Sequence, residues 1–591
     1  MAMKPKNFDR FWKELKRRKV VHVITIYAAT AFVILELVDM VARPLKLPDW
    51  TEALVIVLLC IGFVIAVLLS WVYDITPSGV RKTKPAGEIK HGKETTPTVS
   101  SGWKIATYVS AVIIIVLVVF NFISRENLDA DISKLEKSIA VLPFKLLSGE
   151  SDKQYLADGM MDAITLHLSK IKDLRVLSRT STEQYRESGK TITEIGKELG
   201  VAYLLEGSFQ KYGNDVRLIV QLIHVGKEGH VWANKYDRKW NDVLSVQSEV
   251  AQGIAGELDA VITPKEKQLI EKTPTYNLSA YDAYLQGEFY FKKFTQDDLM
   301  TAMKYFELAK ERDSLYALAY AGIFKVWGGL QQMGYVSPAE AGPKAIKAAL
   351  KSLLLDSTLA EVHYTLGVME TYVEWNWKAA EASFKKGIEL NPNYAEARAY
   401  YSHLLNILGR SEEAMKQIEI ALSLDPLNPF IKVFYGVDLI FDHKSEEATT
   451  AFQNALKIQP NYLLAIQNLA IALHLAGKYK ESFEQFKLSY NSYPDVVNAL
   501  DQGNTQGGYQ QGFISANRVL EERFKSGYWN PTDIAGNYAL AGDNDKAIEW
   551  LEKAYTLHDP NLIYLLMPHY DNLRNYPRFQ ALCQKMNLPI K

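Results

Sequence analysis

At 591 residues the chain is too long for one hydrophobic core, since domains usually run about 100–200 residues. A formal net charge of -1 excludes a global basic field of the kind that gathers nucleic acid, so no nucleic-acid partner is expected. The only two cysteines, Cys60 and Cys583, exclude a disulfide-built scaffold and leave the compartment open.

The first 19 residues are basic, and Phe8, Phe11, Trp12 and Leu15 fall at i, i+3, i+4 and i+7. That spacing predicts an amphipathic helix lying beside anionic lipid. Three stretches rich in Val, Ile, Leu and Ala follow, at about 20–41, 53–73 and 105–123. Each has the length of a membrane span, which needs roughly 20 apolar residues. Trp50, Trp71, Tyr73 and Trp103 sit near their ends, where headgroups would be. Glu36 and Asp39 read as lying near the outer headgroups rather than on an ion path. Lysine and arginine crowd the N-terminus and the connection 74–104, which the positive-inside rule places in the cytoplasm. The expectation is a multi-pass bacterial inner-membrane protein in contact with lipid, its soluble arm outside the cytoplasm.

Residues 135–264 alternate strand and helix signals. Residues 138–144 read as a strand and 175–178 as another. The runs 202–211 and 215–224 flank Tyr212-Gly213-Asn214, a hairpin signal. Helical patterns run through Leu156, Met160, Ile164 and Leu168, and again over 243–258. A small α/β unit with a partly antiparallel sheet is predicted.

The stretches "SIAVLPFKLLSGESDKQYLADGMMDAIT", "LRVLSRTS", "IGKELGVAYLLEGSFQKYGNDVRLIVQLIHV" and "GHVWANKYDRKWNDVLSVQSEVA" resemble the FlgO-type, TolB-N-terminal-like domain. Bacterial membrane-anchored proteins with this domain often carry tetratricopeptide (TPR) repeats after it. Some carry an adenylate cyclase or winged-helix domain before it. The resemblance implies an architecture and no catalytic residues. Fewer than about twenty residues precede the first apolar stretch, too few for either output domain.

The C-terminal half repeats. Pro392, Pro426, Pro460 and Pro494 stand 34 residues apart. So do Ala380, Ala414, Ala448 and Ser482, and likewise Phe384, Ile418, Phe452 and Phe486. This is the TPR period, with small residues where two helices cross closely. Repeats are expected over 278–560, with a long insert around 334–343, a bend around 504–512, and a terminal cap at 561–591. The overall prediction is a multidomain membrane protein: three transmembrane helices, a small α/β domain and an all-α TPR solenoid.

Inward positions of the first helices are candidate peptide-binding residues: Tyr364, Tyr372, His403, Asn406, Phe430, Val433, Val437, Ile440, Phe441, Gln467, Ile471 and His474. A helical stripe does not by itself separate groove positions from packed ones. The chain has no phosphate-binding glycine loop, no HExxH, no zinc-spaced Cys/His cluster and no Gly-x-Ser-x-Gly, so neither enzyme activity nor a metal or cofactor is expected. The expected function is an adaptor that binds a protein or peptide, with self-association into a homo-oligomer also open. The alternative is a transmembrane transducer acting through a separate effector.

Overall fold

The computed structural model describes residues 136–147 and 153–589, less 227, 228, 294, 333, 334 and 528. Towards the N-terminus it describes 73–76, 79–82 and scattered helical positions between 27 and 63. The chain divides into two compact units, Met1–Val116 and Leu117–Lys591.

In the first unit, β1 (Tyr73–Thr76) and β2 (Gly79–Lys82) form an antiparallel hairpin. Tyr27 meets the Phe63 ring edge-on at 5.7 Å and donates to the Leu59 carbonyl at 2.8 Å. Among the described residues no helix is long and apolar enough to cross a membrane. The expected transmembrane helices at 20–41, 53–73 and 105–123 are corrected accordingly. So are the multi-pass inner-membrane location, the extracytoplasmic arm and the lipid contact that rested on them. The physical reason is that a Val-, Ile-, Leu- and Ala-rich run suits a strand or a protein-packed helix as well as a span, and hydropathy alone does not separate these. Tyr73, read as the end of a span, opens β1 and pairs with Lys82, in a segment read as linker. The basic segment 1–19, Glu36, Asp39 and the stretch 105–123 lie outside the described residues.

The second unit begins with a six-stranded sheet. Its elements are β3 (Ser138–Val141), β4 (Lys145–Leu146), α1 (Gln154–Ser169), β5 (Arg175–Val176), α2 (Arg179–Glu183), α3 (Ile192–Leu199), β6 (Tyr203–Tyr212), β7 (Asp215–His224), β8 (Gly229–Lys239), α4 (Val243–Glu257) and α5 (Pro264–Glu271). The strand order is β5-β3-β6-β7-β8, with β4 also on β6. β3 runs parallel to β5 and β6, while β6, β7 and β8 form an antiparallel meander. The turn between β6 and β7 places Gly213 at φ 56°, a left-handed conformation that glycine adopts without strain. Strand periodicity splits the core. Ile139 and Val141 pack with α1 and α4 on one face, while Ala140 and Leu142 meet Ile195 and Leu199 of α3 on the other. α3 is framed by a Thr191–Glu194 capping box and by left-handed Gly200.

Helix pairs follow: α6 (Leu278–Phe291) with α7 (Gln296–Arg312), α8 (Ala317–Gln332) with α9 (Pro338–Leu355), and α10 (Ala360–Tyr372) with α11 (Trp377–Leu390). Next come α12 (Ala395–Ile407) with α13 (Ser411–Leu424), α14 (Pro429–Phe441) with α15 (Ser445–Ile458), and α16 (Leu463–Leu475) with α17 (Tyr479–Ser489). α18 (Pro494–Ser526) precedes the last pair, α19 (Pro531–Ala541) with α20 (Asn544–Thr556). Ala380, Ala414, Ala448 and Ser482 are fully buried, as the 34-residue register requires of helix crossings. A Cβ on Gly367 would lie 2.7 Å from Phe384 Cε1, so only glycine lets that ring sit across the pair. The insert expected around 334–343 is shorter than predicted, because α9 starts at Pro338 and carries Pro343 within it. The expected bend at 504–512 is one break in α18, at Gly507 and Gly508, the latter at φ 79°. Two 3₁₀ turns, Pro560–Tyr564 and Pro568–Leu573, and α21 (Pro577–Lys585) end the chain.

The sheet region is gripped by the repeats within this second unit. Tyr281 and Leu285 of α6 join the core under α1 and α4. Asn393, in the α11–α12 loop, donates to the carbonyls of Ser169 at 3.0 Å, Ile171 at 3.3 Å and Leu174 at 3.0 Å, and accepts from Val176 N at 3.2 Å. In the α13–α14 loop, Asp425 accepts from Ser181 Oγ at 2.5 Å, and Leu427 N donates to the same Ser181 oxygen at 2.9 Å.

Candidate functional site

The predicted groove residues lie on the first helices α10, α12, α14 and α16, which line the inner face in repeat arrays. The structure divides the predicted groove residues into an accessible set and a covered set. Tyr364 is half-buried, its ring 5.2 Å from Tyr394 and 5.5 Å from Tyr400. Phe430, also half-buried, lies 5.5 Å from Tyr400 and 4.3 Å from Phe434. These rings form a row across α10, the start of α12 and α14. Tyr372 continues it, 6.0 Å from Tyr400 and stacked parallel to His403 at 6.4 Å.

His403, Asn406, Val433, Val437 and Ile440 are buried. Val433, Val437 and Ile440 belong to a hydrophobic cluster that includes Met567 and is flanked by half-buried Phe441, Ile471 and Tyr564. Gln467 is half-buried on α16. His474 Nδ1 pairs with the Tyr509 hydroxyl at 3.0 Å, so this histidine is engaged with α18. The predicted set is therefore not one open groove.

Sequence reasoning missed the residues that define the covered part: Asp438, Tyr564 and Met567. Asp438 is 1% exposed, on a helix that otherwise reads as apolar. A lone carboxylate in "PFIKVFYGVDLIF" was the available signal. Its carboxyl meets Ser402 and Asn406, while both ring nitrogens of His403 are buried with no hydrogen-bond partner. Burial pushes the Asp438 carboxyl up to about 8, against a smaller pull from nearby Ser402 and Asn406. Burial also drops the His403 imidazole to about 3, so it is neutral at pH 7. The His403 ring is walled by Phe434 at 4.6 Å and Tyr564 at 5.0 Å. Each buried polar group left unpaired costs about 1–3 kcal/mol, so the packing over this cluster carries a penalty.

The covering layer is the chain's own C-terminal segment. Tyr564 and Met567 reach the first helices. Pro568 and Asp571 line a cavity of about 210 Å³ with Ile440, His443, Ser445 and Leu475. His558 Nε2 donates to the Val373 carbonyl at 2.8 Å, and its ring stacks on Trp375 at 4.0 Å. Trp377 Nε1 donates to the Met586 carbonyl at 2.7 Å. The segment read as a terminal cap thus turns back across the inner face. Among the described residues no group of three or more His, Cys, Asp or Glu could hold a metal ion. The arrangement is a row of half-buried rings beside a covered polar cluster.

Residues 135–252 match the family model described as HilA/YgeH-like transcriptional regulator, second domain. A Rhizobium meliloti protein named as adenylate cyclase 3 is 32% identical over 233 residues, 39% of this chain and 40% of that one. Transcriptional regulator HilA of Salmonella typhimurium is 24% identical over 294 residues, 49% of this chain and 51% of that one. The chain spans about half, or less, of the length of these curated relatives. The crystal structure of YrrB, a TPR protein with an unusual peptide-binding site, is 24% identical, covers 34% of this chain and 96% of that chain, and superposes with a TM-score of 0.23. The chain is similar to HilA-like regulators over its α/β region.

Proposed function

We propose that this protein is a protein-interaction adaptor that binds an extended polypeptide segment along the inner face of its repeats, in a regulatory setting. The observation that carries this reading is the row of half-buried rings Tyr364, Tyr394, Tyr400 and Phe430, shared by consecutive repeats. Aromatic side chains bring large contact area at low entropic cost, and they dominate hot spots at interfaces. The similarity to the second domain of HilA-like regulators supports the regulatory setting. In this reading residues 135–264 form the FlgO-type, TolB-N-terminal-like unit that their motifs resemble, and the repeats at 278–560 are the recognition arm.

The test is panning of a displayed random-peptide library on the full chain. Enriched sequences should lose binding to the Tyr364→Ala/Tyr400→Ala/Phe430→Ala variant while its helical circular dichroism is kept. Equal binding to the triple variant would remove the ring row as the recognition surface.

A further inference from the structure

The inner face beyond the ring row is already occupied. Residues 557–589 leave α20, anchor at His558 on Val373 and Trp375, cross α10, α12, α14 and α16 with Tyr564 and Met567, and end beside α11 and α12. There Met586 accepts from Trp377, and Pro589 lies in van der Waals range of a Cβ built on Gly409. Most of this path is 3₁₀ turn and loop rather than paired helix, unlike every preceding repeat. Its apolar contacts are well made: Leu562, Ile563, Leu565 and Leu573 are all buried. Its polar contacts are made at its two ends, by His558 and Met586, and are incomplete over His403. Under Tyr564 lies His403, both of whose ring nitrogens are buried with no hydrogen-bond partner, beside Asp438, which meets only Ser402 and Asn406 of the same face. These side chains come from neighbouring first helices, and a segment supplying an amide, hydroxyl or carboxamide would satisfy His403.

We infer that the C-terminal segment is an intramolecular ligand of the repeat face, held in place of an external one. It matches the face in apolarity and leaves His403 without a hydrogen-bond partner. The partner that displaces it is an extended polypeptide that repeats the aromatic-x-x-aliphatic spacing of Tyr564 and Met567 and adds a hydrogen-bonding group opposite His403. This deepens the adaptor reading and rests on the inner face being a recognition face. Its test uses the covered part of that face, so it can fail while the ring row still binds peptide, and the reverse.

The probe is a fluorescein-labelled synthetic peptide of residues 557–589, added to the full chain. The wild-type chain should bind it at least about tenfold more weakly than the Tyr564→Ala/Met567→Ala variant, whose own segment no longer competes. Adding Val437→Glu to that variant should abolish the gain. Native-state hydrogen exchange on the unmodified chain gives a second measure. Amides of residues 560–573 should exchange at least about 100-fold faster than the core amides of α12 and α14, as a separately opening unit. Equal peptide binding by wild type and the folded double variant would overturn the inference. So would a double variant that loses its helical signal, or residues 560–573 exchanging together with α14, because each makes the segment part of the fold rather than its ligand.

Discussion

Asn393→Ala tests how the repeats hold the sheet. The Asn393 side chain, on one repeat loop, meets four backbone groups around β5: the carbonyls of Ser169, Ile171 and Leu174, and the N–H of Val176. β5 is an edge strand of two residues, so Val176 N–H has no neighbouring strand on that side. Alanine would leave that buried donor unpaired and strip acceptor partners from the α1–β5 loop. A buried unsatisfied group costs about 1–3 kcal/mol, and with the weakened carbonyls the total is roughly 2–4 kcal/mol. At about 1.4 kcal/mol per tenfold, Val176 should exchange its amide proton about 30- to 1000-fold faster in the variant. Exchange is the right assay because a multidomain chain has no single unfolding free energy. Asn393→Asp keeps the acceptor for Val176 but removes the donor, and should fall between the two. Unchanged Val176 exchange in Asn393→Ala would refute the claim that this side chain clamps the sheet to the array.

Other expectations follow from the packing. Gly367→Ala places a Cβ against the Phe384 ring and should cost roughly 1–3 kcal/mol, and Ala448→Leu, at a fully buried crossing, should cost a similar amount. A thermal melt unchanged by either would show the helix crossings to be looser than described. Val437→Ser removes buried apolar contact in the cluster that holds Met567 and should lower the melting temperature, whereas Phe430→Ala, on the half-buried row, should change it much less; equal losses would erase the distinction between covered and accessible inner face. Burial raises the Asp438 pKa from 3.8 to about 8, so its folded form holds a proton that the unfolded form releases. The stability tied to that proton is present below about pH 4 and drains away as pH rises to about 8. His403 and His569, both lowered by burial to about 3, act the other way and withdraw stability as pH falls below 6.5. Asp438→Asn should therefore gain stability relative to wild type between pH 5 and pH 8; a constant difference in melting temperature across that range would show that the carboxyl does not titrate there.

The element types of the second unit were legible because they are local. The apolar run within 138–144 and the Tyr212-Gly213-Asn214 turn lead directly to β3, which ends at Val141, and to the β6–β7 hairpin. The N-terminal stretches were misread because apolar composition reports burial and not what a segment is buried in. The predicted groove list mixed accessible rings with buried anchors, since a helical stripe shows a face without showing what covers it. Asp438 was passed over because the repeat register assigns its position to packing.

The sequence by itself determined the 34-residue spacing of Ala380, Ala414, Ala448 and Ser482, and hence the helix pairs, because each small residue answers to a neighbour within its own repeat. Only the tertiary structure decided which repeat positions acquired a second partner. Asn393 is buried under the sheet while Asn461, two repeats later in the same register, is exposed. Val373 meets His558, and Trp377 meets Met586, across nearly two hundred residues and more. Contacts at that separation depend on the curvature summed over many repeats, which brings the last helix back to the third pair; no single repeat's sequence carries that sum.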